Sequence, residues 1–230
     1  MSRFVKEDGL PSMLLVEGSE DAEVVGAIMK SHEIQPAFDV SVVVGISQLK
    51  QAFKIRLKNT NVLRKLWVIV DADSDCHAVW QMLRDCLISH GGYDVDAFTP
   101  LPSGGAVFTP SDSEAITVGI WIMPDNSQAG MVESFLALLA KDDDTLIREA
   151  HATVERLDAE RDMHKNMFKH VHKPKAVIHT WLAWQNPPGR SMGTAILQKR
   201  IEYSKPLLGS FMRWLLQLQA IEPSAGCGDS

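Results

Sequence analysis

Along the first half of the chain the apolar residues change period repeatedly, and each change marks the passage from a strand to a helix. The run SMLLVEG (12–18) is short, apolar and ends on Glu17 and Gly18. In the following SEDAEVVGAIMKSHE, Val24, Val25, Ile28 and Met29 recur at helical spacing. Ser19 is placed to cap this helix, and Glu20 and Asp21 suit the positive end of its dipole. The β-branched run FDVSVVVG (38–45) predicts a second strand, and Leu49, Phe53 and Leu57 after it share one helix face. LRKLWVIVDAD (63–73) predicts a third strand. The helix that follows should stop at Gly91 and Gly92. Strands with nearly unbroken apolar runs, alternating with helices, imply an α/β fold whose parallel sheet is covered on both faces.

The rest of the chain reads differently. Residues 93–115 are rich in Pro, Gly and Ser and predict loops with one or two short strands. ITVGIWIMPDN (116–126) is another buried strand that ends on an acid, Asp125. A helix over roughly 128–140 should turn Met131, Phe135, Leu138 and Leu139 inward and carry Glu133 near its start. From 145 the pattern is helical throughout, with a long charged helix to about 169 and three further helices to about 221. This divides the chain into an α/β domain (1–142), a helical extension packed on it (143–221) and a tail (222–230) without apolar anchors.

Three carboxylates, Asp71, Asp73 and Asp75, close the third strand in a chain whose formal net charge is already -6. Like charges this close disfavour folding unless a cation or donor sits among them. In an open parallel sheet the crevice lies at the carboxyl ends of the strands, where Glu17, Asp71, Asp73 and Asp125 would share one edge. An oxygen-only cluster suits Mg²⁺ or Mn²⁺. Asp75 reads as a helix N-terminal acid.

Composition limits the partners. A pI of about 5.7 excludes a broad basic surface, so nucleic-acid contact must be local or metal-mediated. The one concentrated basic patch is KHVHKPK (169–175); it reads as a solvated loop, with Lys175 its best candidate for phosphate contact or charge neutralisation. No apolar run reaches membrane-spanning length, and the N-terminus lacks a secretory pattern. Cys76, Cys86 and Cys227 lack CxxC spacing, which points to reduced thiols and a cytoplasmic protein.

LLVEGSED with Glu17, followed after two strand–helix pairs by VIVDADSD with Asp71 and Asp73, resembles the Toprim signature of topoisomerases, primases and related nucleases. GIWIMPDNSQAGMVESFL and KPKAVIHTWLAWQNPPGRSMGTAI resemble Toprim-like bacterial proteins, some of them associated with phage defence. The resemblance implies a Toprim-like Rossmannoid sheet and metal-dependent phosphodiester hydrolysis of DNA or RNA. Glu17 would serve as general acid or base or as a bridging ligand, while Asp71 and Asp73 would hold Mg²⁺ or Mn²⁺. Nucleases of the overcoming-lysogenization-defect type add acids for a second metal, and Asp125 and Glu133 are the positions available here. The candidate catalytic residues are Glu17 and Lys175. A partner ATPase and a homodimer are implied by the family's company. The chain has no tyrosine-bearing strand-passage domain and no primase zinc module. Two rivals remain: a non-catalytic Toprim-like binding module, and a metal-dependent nucleotidyl or glycosyl transferase.

Overall fold

A computed structural model describes residues 10–219, apart from Thr99, Ser113 and Asn166. The expected tail at 222–230, with Cys227, lies outside the described residues. Among the described residues there are five strands: β1 (Ser12–Val16), β2 (Asp39–Val42), β3 (Lys65–Asp71), β4 (Ala106–Phe108) and β5 (Thr117–Met123). Eight α-helices accompany them there: α1 (Ser19–Ser31), α2 (Ile46–Leu57), α3 (Cys76–His90), α4 (Val132–Leu139), α5 (Thr145–Ala159), α6 (Lys173–Ala183), α7 (Met192–Leu197) and α8 (Pro206–Leu216). The sheet order is β2-β1-β3-β5-β4. The first four strands in that order run parallel, and β4 closes the edge antiparallel to β5. The α/β class read from the sequence is the class observed.

Side chains alternate across the central strands. Leu14, Val16, Trp67, Ile69, Trp121 and Met123 face one layer, built from α1 and α4–α8. Leu15, Leu66, Val68, Val70, Val118, Ile120 and Ile122 face the other, built from α2 and α3. The helices after residue 143 therefore join α1 and α4 in one layer that shares a continuous apolar core with the sheet.

Indoles join that layer to the sheet. Trp67 on β3 donates from Nε1 to the Trp214 carbonyl of α8 at 3.0 Å, and Trp214 donates to the Ala106 carbonyl of β4 at 3.2 Å. Trp121 packs between Trp214 and Phe211, with ring centroids 5.6 and 5.1 Å away. The register leaves room for this by pairing Trp67 with Gly119. A Cβ at position 119 would lie 2.5 Å from the Trp67 ring.

Several local expectations are revised. Gly18 occupies the N-cap of α1, and Ser19 is the first helical residue with no cap bond. The charged helix expected to reach about 169 ends at Ala159. Its apolar face runs out after Leu157, and Asp158 instead binds Arg161, His170 and Lys173 from the chain that turns back. Leu138, expected inward, is exposed. Asp75 behaves as read, capping α3 by accepting from the Ala78 N–H at 2.9 Å.

Because Trp67 is flanked by backbone and α8, it has little room to retreat from a methyl group at 119. Gly119→Ala is expected to lower stability by about 1–3 kcal/mol, read as a fall in the urea midpoint at unchanged slope.

Candidate acidic site

Strand β1 lies beside β3, with Val16 aligned to Ile69, so Glu17 and Asp71 leave the same sheet edge next to one another. The two loops that follow β3 and β5 are tied together. Asp73 N–H donates to the Gly130 carbonyl at 2.9 Å, and Gly130 N–H returns a bond to Asp73 O at 2.8 Å. Asp73 adopts φ 50, a left-handed conformation uncommon outside glycine. Buried Asn126 braces the second loop, accepting from the Ile122 N–H at 2.7 Å and donating to Ser103 O. This bracing sets the start of α4 against β3. Val132 N–H, in the first turn, donates to Asp71 Oδ1 at 3.0 Å, and the next residue, Glu133, turns into the cleft.

The cleft has a volume of about 230 Å³, and its lining includes Glu17, Asp21, Gly45, Asp71, Glu133 and Lys175. Asp21 and Glu133 are 3% and 1% exposed. Gly18 permits the close approach of Asp21, since a Cβ there would meet Asp21 Oδ2 at 3.0 Å. Two buried carboxylate oxygens, Glu17 Oε2 and Asp21 Oδ1, have no hydrogen-bond partner. Lys175, on α6, forms an ion pair with Glu133 Oε1 at 2.9 Å and donates to Glu20 Oε2 at 2.7 Å.

Burial and mutual repulsion shift these acids upward. Desolvation raises Glu17, reinforced by Asp73 and opposed by the main chain at Asp71 and Ile46. Asp21 is pushed up to about 7 by burial, with Glu17 and Glu133 adding to it. Asp71 is pushed up to about 9 by burial and then by Asp21, Glu17, Glu133 and Asp73. At Lys175 burial opposes the charge, but Glu20 and Glu133 outweigh it and its pKa is raised. One ammonium does not neutralise four converging carboxylates, and the donorless oxygens of Glu17 and Asp21 are where a hard divalent cation would bind.

Of the residues singled out from the sequence, Glu17, Asp71, Glu133 and Lys175 meet in this cleft. Asp73 is exposed at its rim, close enough to raise both Glu17 and Asp71. Asp125 is not brought in. Its oxygens accept from Ser127 N–H and Oγ and from Gln128 N–H and Nε2, which hold the turn after β5 and keep its pKa low against the effect of burial.

Asp21 was read as a dipole acid and is instead a wall of the site. The available signal was its position, four residues before Val25 and seven before Ile28, which puts it on the buried face of α1. Glu20 and His179 were also missed. Together with Glu133 they bring one ligand atom each to within 4.8 Å of one another, and Lys175 is the cation resting on the two acids. The patch 169–175 is mostly ion-paired: Lys173 with Glu155 at 2.5 Å and His170 with Asp158 at 2.9 Å.

The shifts dictate a pH dependence. An aspartate with a raised pKa keeps in the fold a proton that the unfolded chain has released, so stability falls as pH rises above the unfolded value of 3.8. The loss continues through about 7 for Asp21 and about 9 for Asp71, at up to about 1.4 kcal/mol per pH unit for each group. In chelator, the urea midpoint should fall between pH 5 and pH 8. Asp21→Asn should flatten that fall, and a wild-type midpoint independent of pH over this interval would contradict the site's electrostatics.

No helix among the described residues is long and apolar enough to cross a membrane. No curated protein and no solved structure matches the chain. The model of a family described as "Protein of unknown function (DUF3226)" matches residues 11–220, nearly the full length, and the chain belongs to that family.

Proposed function

We propose that this protein is a Mg²⁺- or Mn²⁺-dependent phosphodiester hydrolase acting on nucleic acid. What carries the reading is the pair of donorless oxygens on Glu17 and Asp21, in one cleft with Asp71 and with a Glu133 carboxylate that meets Lys175. Carboxylate oxygens alone are the donor set that Mg²⁺ and Mn²⁺ accept, and buried acids held partly protonated are acids a cation can deprotonate and occupy. Glu17, Asp21, Asp71 and Glu133 would hold the metal, with Asp73 at the rim. When bound, the ion supplies Lewis-acid polarisation of a phosphoryl oxygen and a more acidic water.

The protein's own groups prepare the site. Val132 N–H fixes Asp71 through Oδ1. Glu17, partly screened by main-chain N–H groups and raised by burial, is placed to take or return a proton at its free Oε2. Lys175 draws Glu20 and Glu133 to one side and brings a fixed positive charge to the cleft wall, where a phosphate would need it.

The test is cleavage of plasmid DNA, single-stranded DNA and tRNA with Mn²⁺ or Mg²⁺. Wild type should cut at least one substrate, chelator should abolish cutting, and Glu17→Gln and Asp71→Asn should each slow it by about 100-fold or more. Equal rates for Glu17→Gln and wild type would refute the assignment. Calorimetric uptake of Mn²⁺ without cleavage of any substrate would favour a binding module.

A further inference from the structure

Residues 40–70 contain Lys50, Lys54, Arg56, Lys58, Arg64 and Lys65 and not one Asp or Glu, in a chain of formal net charge -6. The structure sorts these cations into two groups. Arg56 is used internally, donating to Ser41 Oγ at 2.7 Å and to the Met13 sulfur. Arg64 pairs with Glu114 and donates to Thr60 O, while Lys65 donates to Gln217 O at 3.1 Å. Lys50, Lys54 and Lys58 remain. All three are exposed, and they form no ion pair or side-chain hydrogen bond among the described residues.

Their spacing is i, i+4, i+8 along α2 and its C-cap Lys58, which makes one row with a charge about every 6 Å of helix. Like charges at this spacing weaken a helix, and the helix dipole offsets that cost only for Lys54 and Lys58 near its C-terminus. The helix begins at the cleft: its N-cap Gly45 lines it, and the main chain of Ile46 faces the Glu17 carboxylate. Lys50 thus stands about one turn along α2 from Ile46. A polyanion approaching those carboxylates is repelled by them, and a positive approach route beside the cleft answers that repulsion. In the patch at 169–175, Lys173, Lys175 and His170 are already engaged with Glu155, Glu20, Glu133 and Asp158, which leaves it less free charge for an approaching strand than the row on α2.

We propose that the Lys50–Lys54–Lys58 row is the track along which the phosphate backbone of a nucleic-acid strand lies as it enters the acidic cleft, an inference that rests on the phosphodiesterase reading. The contact is to phosphate and carries no base specificity.

The experiment measures binding in chelator, so that it is independent of cleavage. Fluorescein-labelled single-stranded DNA, RNA of the same sequence and the DNA duplex are titrated by anisotropy between 50 and 200 mM salt, with vesicles containing anionic lipid as a further arm. Each single-strand phosphate neutralised contributes about 0.7 to the slope of log affinity against log salt. The triple variant K50Q/K54Q/K58Q should therefore show a slope shallower by about 2, with wild type losing about 20-fold more affinity than the variant across this range. K50R/K54R/K58R should bind as wild type does. Equal affinity and slope for wild type and the Gln variant would overturn the track, as would a wild type that binds no nucleic acid, or one that binds the vesicles more tightly than any strand. Cleavage is scored separately. A wild type that binds along the row and never cuts keeps the track and refutes hydrolysis, whereas cutting that survives in the Gln variant with unaltered binding refutes the track alone.

Discussion

Four carboxylates, two of them buried and two half-buried, converge on one cleft with a single ammonium among them, and much of the architecture serves to make that arrangement possible. Glu17 and Asp71 come from adjacent parallel strands, Asp21 from the first turn of α1 and Glu133 from the first turn of α4. Each is placed by backbone: a strand register, a glycine N-cap, and a braced loop that delivers the Val132 N–H to Asp71. Desolvation and repulsion are then answered by protons, by Lys175, or by an added cation. That a structure retains this much unfavourable charge in one place argues for function over stability.

The two faces of the sheet contribute unequally to that centre. The α2–α3 face supplies an apolar support and, through the start of α2, one wall of the cleft. The opposite face carries the larger layer of six helices, and from it comes Lys175. The indole contacts of Trp67, Trp121 and Trp214 fix that layer against β3, β4 and β5, so the position of α6 over the acids depends on packing some distance from them.

Strands and their acidic ends were legible in the sequence because an apolar run that stops on a carboxylate is unusual in an interior strand. Glu17 and Asp71 belong to that class. Asp21 and Glu133 lie on helices, where an acid near the N-terminus has an ordinary dipole explanation, and only their phase relative to Val25, Ile28 and Leu136 separates a buried acid from an exposed one. Asp125 shows the opposite error: an acid after a strand in PDNSQ is equally a turn-former, and its four hydrogen bonds are local. Lys175 lay in a patch that resembled a solvated loop, because its partners Glu20 and Glu133 are far away in sequence. The antiparallel direction of β4 and the end of α5 at Ala159 depend on contacts across the chain and left no local period to read.

The bond between Lys175 and Glu20 spans 155 residues. Closing so long a loop has an entropic cost that the packing of the intervening elements must offset, so this contact depends on the docking of α6. Until α6 docks, the sheet carries its converging acids with no ammonium beside them and must keep them protonated or hydrated. Completion of the charge balance is therefore tied to completion of the fold, and the cleft acquires its final electrostatic character only when the C-terminal layer is in place.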